Sequence, residues 1–407
     1  MKILLLSQFF RPVIGGEERV VEELGRELVA RGHAVTVATT ALEGEPAEEE
    51  LDGMHVHRIP SLVGRAKALY TDSRRPHVPP APDPGLVRGL EPLLAASPDV
   101  IHAHNWIVYS VLPWRRRHPA PLVLSLHDYG LVCTTKRFLR AGAPCPGPAL
   151  ARCLSCAGGH YGPAKGATTV GAQRLTSPWL RRSVDAYLPV SQAVARASGL
   201  DGQRFEVIPN FLPRAPTEAE GESGAVAGLL PEGEFLLFAG DVSRDKGADV
   251  LLAAHAGLDD PPPLVLIGRE LIPRGDVDPG RVRFLGPQPH TAVLAAMRRC
   301  TALVAPSVWP EPFGLVALEA MAEGKPVIAA RSGGLVDLVA DGRTGLLVPP
   351  GDQRALGAAI RQLLEDAERR LALGRAAAAH AQLFSAENVV PRVEQVYESL
   401  LDRRRCR

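Results

Sequence analysis

The sequence has no stretch of roughly 18 uninterrupted apolar residues, the length a membrane-crossing helix needs, and a soluble, cytoplasmic protein is therefore expected. The opening Met1-Lys2-Ile3-Leu4-Leu5-Leu6-Ser7 is too short an apolar run for a secretory leader and turns polar at Gln8, so it reads as a first strand. Charge of one sign is also missing. With 46 Lys and Arg against 45 Asp and Glu, the formal net charge is +1, and nothing global draws the chain to nucleic acid. Only the runs Arg115-Arg116-Arg117 and Arg403-Arg404-Arg405 suggest peripheral contact with an anionic membrane face. Cysteine is scarce, six in 407 residues, and in a cytoplasmic protein those thiols stay reduced. Short-period repeats and long low-complexity segments are absent as well.

What is present is a chain with 46% hydrophobic residues, long enough for two domains of ordinary size. Apolar segments at Ile3-Leu4-Leu5-Leu6, 34–38, 54–56, 100–103, 122–126 and 186–190 alternate with helix-like stretches. The first of those helices runs to about Gly32 with Val20, Val21, Leu24 and Leu28 on its apolar face. The chain turns polar from Pro213 to Glu234, and then the alternation restarts at 235–239, 264–267, 282–285, 303–305, 327–329 and 345–348. Strands alternating with helices predict parallel sheets covered on both faces, with ligands beyond the carboxyl ends of the strands. Two doubly wound, Rossmann-like domains follow, at 1–212 and 213–384, their carboxyl edges facing across a cleft. A last helix after Ser385 places Val389, Val393, Val396, Tyr397 and Leu400 at helical spacing, over 385–407.

The richest stretch is Val308 to Ala322. Pro310 and Pro312 end a buried strand, and an Ala/Leu-rich helix starts near Gly314. A helix start carries unpaired N–H groups and about half a positive charge, which suits a phosphate. Glu311 in the loop and Glu319 two turns into the helix would repel a lone phosphate. They make sense if they accept hydrogen bonds from hydroxyls on either side of it, and a nucleotide sugar has that shape: sugar, diphosphate, ribose. Lys246 and Arg244, with the helix terminus, would stabilise the charge that builds on a departing diphosphate. Asp241 would oppose that charge unless it points elsewhere. His127, after an apolar strand and before Asp128, is a candidate to orient an acceptor, donate a hydrogen bond to the sugar or shift a proton. His102 and His104 share an i, i+2 spacing on a strand that by itself proves little, and His104 is a candidate wall of the site.

In order along the chain stand Gly15-Gly16, His127-Asp128, Val190-Ser191-Gln192-Ala193, Ile208-Pro209-Asn210, Lys246-Gly247, Glu311-x7-Glu319, Gly333-Gly334 and Gly342-x2-Gly345-Leu346-Leu347-Val348. This set resembles the family-four retaining glycosyltransferases of GT-B fold, over nearly the whole chain. The resemblance implies hexosyl transfer from a nucleotide-diphosphate sugar, with retention at the anomeric carbon, to a glycan, lipid-linked or small-molecule acceptor. It implies that Glu319 binds the ribose, Glu311 the donor sugar and Lys246 the phosphates. The backbone of Phe313, Gly314, Leu315 and Val316 would reach sugar and diphosphate, Gly15 and Gly16 would close on the donor, and His127 would stand near the reacting sugar.

A segment at 130–168 breaks the alternation. Cys133, Cys145, Cys153 and Cys156 fall there among prolines and glycines, with Arg137, Arg140 and Arg152 nearby. Four thiolates with one Cys-x2-Cys spacing fit a structural zinc, with an iron–sulfur cluster or unliganded thiols as the alternatives. Catalysis itself is expected to need no metal or other cofactor: the lone Asp-x-Asp, Asp276-Val277-Asp278, sits in a Gly/Pro loop. Two other readings are a nucleotide-sugar isomerase or hydrolase of the same fold, and a metal-stabilised sugar-nucleotide-binding module without turnover. A dinucleotide oxidoreductase is disfavoured because Gly15-Gly16 lacks the Gly-x-Gly-x-x-Gly fingerprint.

Overall fold

The computed structural model describes residues 1–13, 15–63, 78–213, 228–275 and 277–406. Most of the polar connection at 213–234 and Asp276 of the Asp-x-Asp sequence lie outside the described residues. The chain divides into two compact units, one of Met1–Phe138, Cys145–Pro209 and Val389–Arg407, the other of Leu139–Pro144 and Asn210–Asn388. The division thus falls at Pro209, and the short segment Leu139–Pro144 groups with the second unit.

The first unit is built on a seven-stranded sheet. Its strands are β1 Lys2–Ser7, β2 Ala34–Thr40, β3 Glu48–Leu51, β4 Met54–Ile59, β5 Val100–His104, β6 Leu122–Leu126 and β9 Ala186–Pro189. β7 Leu139–Arg140 and β8 Ala143–Pro144 form a separate small hairpin. The spatial order is β3-β4-β2-β1-β5-β6-β9, parallel except for the edge strand β3. β1, β5 and β6 are buried nearly throughout, as strands covered on both faces must be. β3 reads Glu-Glu-Glu-Leu, with no alternation to mark it, and only its pairing to β4 makes it a strand.

The second unit has six strands: β10 Leu236–Ala239, β11 Leu264–Ile267, β12 Val282–Phe284, β13 Ala302–Ala305, β14 Val327–Ala330 and β15 Gly345–Val348. They lie in the order β12-β11-β10-β13-β14-β15, all parallel. Leu236, Phe238, Leu264, Leu266, Val304 and Ile328 belong to one buried cluster that also takes in Leu251, Leu356 and Ile360 from the flanking helices.

In both sheets the chain winds outward in one direction and then restarts next to the first strand. β1 therefore neighbours both β2 and β5, and β10 neighbours both β11 and β13. At such a reversal the connections leave to opposite sides, which opens a crevice beyond the carboxyl ends of the two central strands. These two crevices position everything described below.

The helix Ala386–Arg405 returns to the first unit, with Val389, Val393, Val396, Tyr397 and Leu400 all buried. Its key polar contact is made by Tyr397, whose hydroxyl meets His102 Nδ1 at 2.6 Å on β5, while His102 Nε2 meets Ser125 Oγ at 2.8 Å on β6. Burial first, and the nearby His127 second, push the His102 pKa down to about 3, so a neutral ring joins the helix to the sheet. Replacing Tyr397 with Phe leaves a buried ring nitrogen unpaired, which costs about 1–3 kcal/mol. Urea unfolding followed by tryptophan fluorescence should show a lower midpoint for Tyr397→Phe, and an unchanged midpoint would refute this role for the contact.

Candidate active site

In the second unit the crevice between β10 and β13 is lined by the loops that follow those strands. Gly247, at φ +72°, caps the Ala248–Ala256 helix and lets the loop after β10 pass against Pro306, where an added Cβ would meet the Pro306 carbonyl oxygen at 2.1 Å. Lys246 is thereby carried onto the loop after β13. Its Nζ donates to both carboxylate oxygens of Glu311, at 2.9 and 2.8 Å, and lies 5.2 Å from the Trp309 ring. Glu311 also accepts from Ser307 Oγ at 3.0 Å and Trp309 Nε1 at 2.8 Å. Burial opposes ionisation of Glu311, but Lys246, Trp309 and Ser307 outweigh it, and the pKa lies below the ordinary carboxylate value.

Gly314, at φ +106°, is the residue before the Leu315–Ala322 helix, and a Cβ there would strike Leu335 at 2.6 Å. Gly333-Gly334 packs so closely under the loop that a Cβ on either would meet the backbone of 310–313, and Gly334 N donates to Glu311 O at 2.6 Å. Phe313 is buried against Phe384, whereas Leu315 and Val316 occupy the partly open first turn. Glu319 is 6% exposed and accepts from His290 Nε2 at 2.9 Å. Asp241 is turned aside, held by Arg269 through two hydrogen bonds of 3.0 and 2.8 Å, while Arg244 is exposed.

In the first unit the crevice lies beyond β1 and β5. Gly15 is extended, and the Gly16–Ala30 helix starts directly after it. Glu17, in the first turn, accepts a short hydrogen bond from Asn105 Nδ2 just after β5. Asn105 has φ +58°, a left-handed conformation that asparagine tolerates better than most residues. Burial first, then the charges of Glu18 and Asp128, raise the Glu17 pKa from 4.5 to about 8, with Lys136 acting against them. Lys136 pairs with Asp128 at 3.6 Å and lies 4.5 Å from the Trp106 ring. His127, one residue past β6, meets His104 Nδ1 through its Nε2 at 2.8 Å. Glu17, Asn105, Lys136 and Trp106 were not singled out in the sequence; Glu17 adjoins the Gly15-Gly16 turn, the one local signal that pointed toward it.

The cysteine-bearing segment is not a coreless loop. It contains the helices Leu150–Tyr161 and Pro163–Ser183, and Gly166 packs so tightly on the first that a Cβ would meet Ala157 backbone at 2.6 Å. Gln173 ties the second helix down, donating to Gly130 O at 2.7 Å and accepting from Thr134 Oγ1 at 2.8 Å. Helix-on-helix packing gives this segment order of its own. Cys153 and Cys156 ride the first helix, Cys133 Sγ accepts from Phe138 N at 3.4 Å, and Cys145 Sγ donates to Gly147 O at 3.5 Å. Among the described residues no three His, Cys, Asp or Glu side chains are placed to hold a metal ion.

Residues 14–214 match the family model for Glycosyltransferase Family 4, and residues 225–380 match Glycosyl transferases group 1. The chain is 31% identical over 423 residues to the D-inositol 3-phosphate glycosyltransferase of Nocardioides sp., covering 94% of this chain and 85% of that one. It belongs to glycosyltransferase family 4. This glycosyltransferase is also 29% identical over 441 residues to glycogen synthase of Mycobacterium tuberculosis, with 98% and 94% of the two chains covered. Its fold is shared with sucrose-phosphate synthase from Thermosynechococcus elongatus, at a TM-score of 0.70 and 23% identity over 98% and 99% of the chains. Anabaena HepE in complex with UDP and glucose has the same fold, at a TM-score of 0.70 and 21% identity over 98% and 100%. The family-four, GT-B expectation from sequence is borne out. No helix among the described residues of the glycosyltransferase is long and apolar enough to cross a membrane.

With its pKa raised, Glu17 should make the stability of the glycosyltransferase pH-dependent. An acid whose folded-state pKa is raised ionises earlier in the unfolded chain, so stability falls as pH rises through the window from 4.5 to about 8. Glu17→Gln should flatten that fall in urea midpoints measured across the window. Parallel profiles for the two proteins would show that the carboxyl is not perturbed.

Proposed function

We propose that this glycosyltransferase moves a hexosyl unit from a nucleoside-diphosphate sugar to an acceptor hydroxyl, with retention, and that donor binding exchanges the partner of Lys246. One observation carries this reading: Lys246 is clamped by Glu311 beside the open first turn of the Leu315–Ala322 helix. A diphosphate arriving at that helix start brings more negative charge than Glu311 and draws the ammonium away. Glu311 then keeps Ser307 and Trp309 as donors, stays ionised, and accepts from sugar hydroxyls. Glu319, steadied by His290, is the acceptor for ribose hydroxyls.

In the transfer step the bond from the anomeric carbon to the diphosphate oxygen breaks and a bond to the acceptor oxygen forms. The acceptor proton passes to the departing diphosphate. Lys246 and the helix N–H groups stabilise the charge that develops there. Asp241, held by Arg269, does not oppose that charge. Relatives of the same fold are described with UDP and UDP-glucose, which makes uridine diphosphate sugars the first donors to test.

A panel of nucleotide sugars screened by thermal shift should reveal a donor, because a ligand that binds only the folded state raises its stability. With that donor, Lys246→Met and Glu311→Gln should each lower kcat/KM by about 100-fold or more, and NMR of the product should show the donor's anomeric configuration. Sugar released equally with and without an acceptor pool would make the protein a hydrolase instead. An inverted product would remove the retaining mechanism.

A further inference from the structure

Charge is balanced over the whole chain but not along it. No Asp or Glu stands between Asp128 and Asp185, while Lys and Arg occur there eight times, against 46 basic and 45 acidic residues in the full sequence. The helix Pro163–Ser183 lies inside this cationic stretch. Its inner side is closed by Val170, Gln173 and Leu180, all buried. Its outer side presents Arg174, Leu175, Pro178, Trp179 and Arg182, all exposed, at the i, i+1, i+4, i+5 and i+8 spacing of one helix face. Leu175 is 82% exposed, more than any other large hydrophobic residue among those described, and Trp179 is 41% exposed.

The arginines of this face differ from those of the two arginine runs. At 115–117, Arg115 pairs with Asp185 at 2.8 Å; at 403–405, Arg404 approaches the same carboxylate at 3.8 Å and Arg405 meets Asp402 at 3.7 Å. Arg174 and Arg182 have no carboxylate partner among the described residues. Arg181 donates only to the carbonyls of Gly199 and Ser198, at 3.0 and 2.8 Å, which leaves its charge uncancelled. Arg174 and Pro178 also border a cleft of about 420 Å³ that Arg181 reaches and that Leu131, Val132 and Val170 line with apolar surface.

Leu and Trp on a cationic face narrow the chemistry of what covers it. A dissolved polyanion would satisfy the arginines and leave Leu175 in water. A second copy seated face to face would set arginine against arginine, a repulsive contact. An anionic bilayer meets both demands, with phosphates for the arginines, an acyl boundary for Leu175 and an interfacial depth that suits an indole. We propose that the outer face of the Pro163–Ser183 helix docks on an anionic phospholipid bilayer, Leu175 and Trp179 entering the headgroup boundary and Arg174 and Arg182 resting on the phosphates. The attachment is reversible and independent of the reaction assigned under Proposed function.

Flotation of the full chain with lipid vesicles tests this without any transfer assay. The expected result is capture by vesicles of phosphatidylcholine mixed with phosphatidylglycerol, no capture by phosphatidylcholine alone, and release as salt is raised. Arg174→Gln with Arg182→Gln should weaken the partition about 10–30-fold, and Leu175→Ser with Trp179→Ser by a similar factor, whereas Arg116→Gln with Arg403→Gln should leave it unchanged. A blue shift of tryptophan emission on adding the anionic vesicles should disappear in Trp179→Phe. Equal capture by neutral vesicles, or an equal loss from the changes at 116 and 403, would overturn the proposal. So would a dimer in light scattering that Leu175→Ser with Trp179→Ser abolishes, since the occupant would then be a second copy. A marked fall in thermal midpoint for that same pair would also overturn it, by showing that the chain itself covers the face.

Discussion

Parallel strands that restart beside the first one leave a gap that no connection covers, and both units of this chain are organised by that constraint. In the first sheet the reversal falls between β1 and β5, in the second between β10 and β13. The loops that leave those strands carry Gly15 and Asn105 in one unit, Lys246 and Glu311 in the other. Backbone N–H groups and strand-end side chains converge there because the winding reverses, whatever the chemistry later built on them.

Within each crevice several of the polar groups are paired with one another. Lys246 and Glu311 satisfy each other, Glu319 has His290, Asp241 has Arg269, and His127 has His104. Leaving the carboxylate of Glu311 or Glu319 buried and unpaired would cost more than pairing it. Under the proposed function a nucleotide sugar exchanges those contacts for its own charges and hydroxyls. Glycine lets these loops pack closely at Gly247 and Gly333, where positive φ and backbone contacts leave no room for a side chain.

The structural record of the sequence is uneven for physical reasons. Buried parallel strands announce themselves as apolar runs, so every run identified along the chain is a strand. β3 carried no such signal, because an edge strand is defined by its neighbour and not by its own burial. The segment at 130–168 misled through its prolines and glycines. Gly158, Gly159 and Gly166 fall within helices, and tight helix-on-helix contact at Gly166 outweighs their poor propensity. Asn105 and His290 were invisible as site residues because each acts on a partner far away in sequence.

By itself the sequence determined the buried parallel strands, the helix start at Gly314 and the spacing of the acidic residues at 311 and 319, since all of these follow from periodicity, local breakers and spacing within one loop and helix. Only the tertiary structure decided which charge meets which: that Lys246 crosses to Glu311, that Arg269 removes Asp241, and that His104 faces His127. Those pairings depend on strands brought side by side from distant parts of the chain, and hydrogen bonding at about 3 Å is settled by that placement rather than by any local pattern of residues.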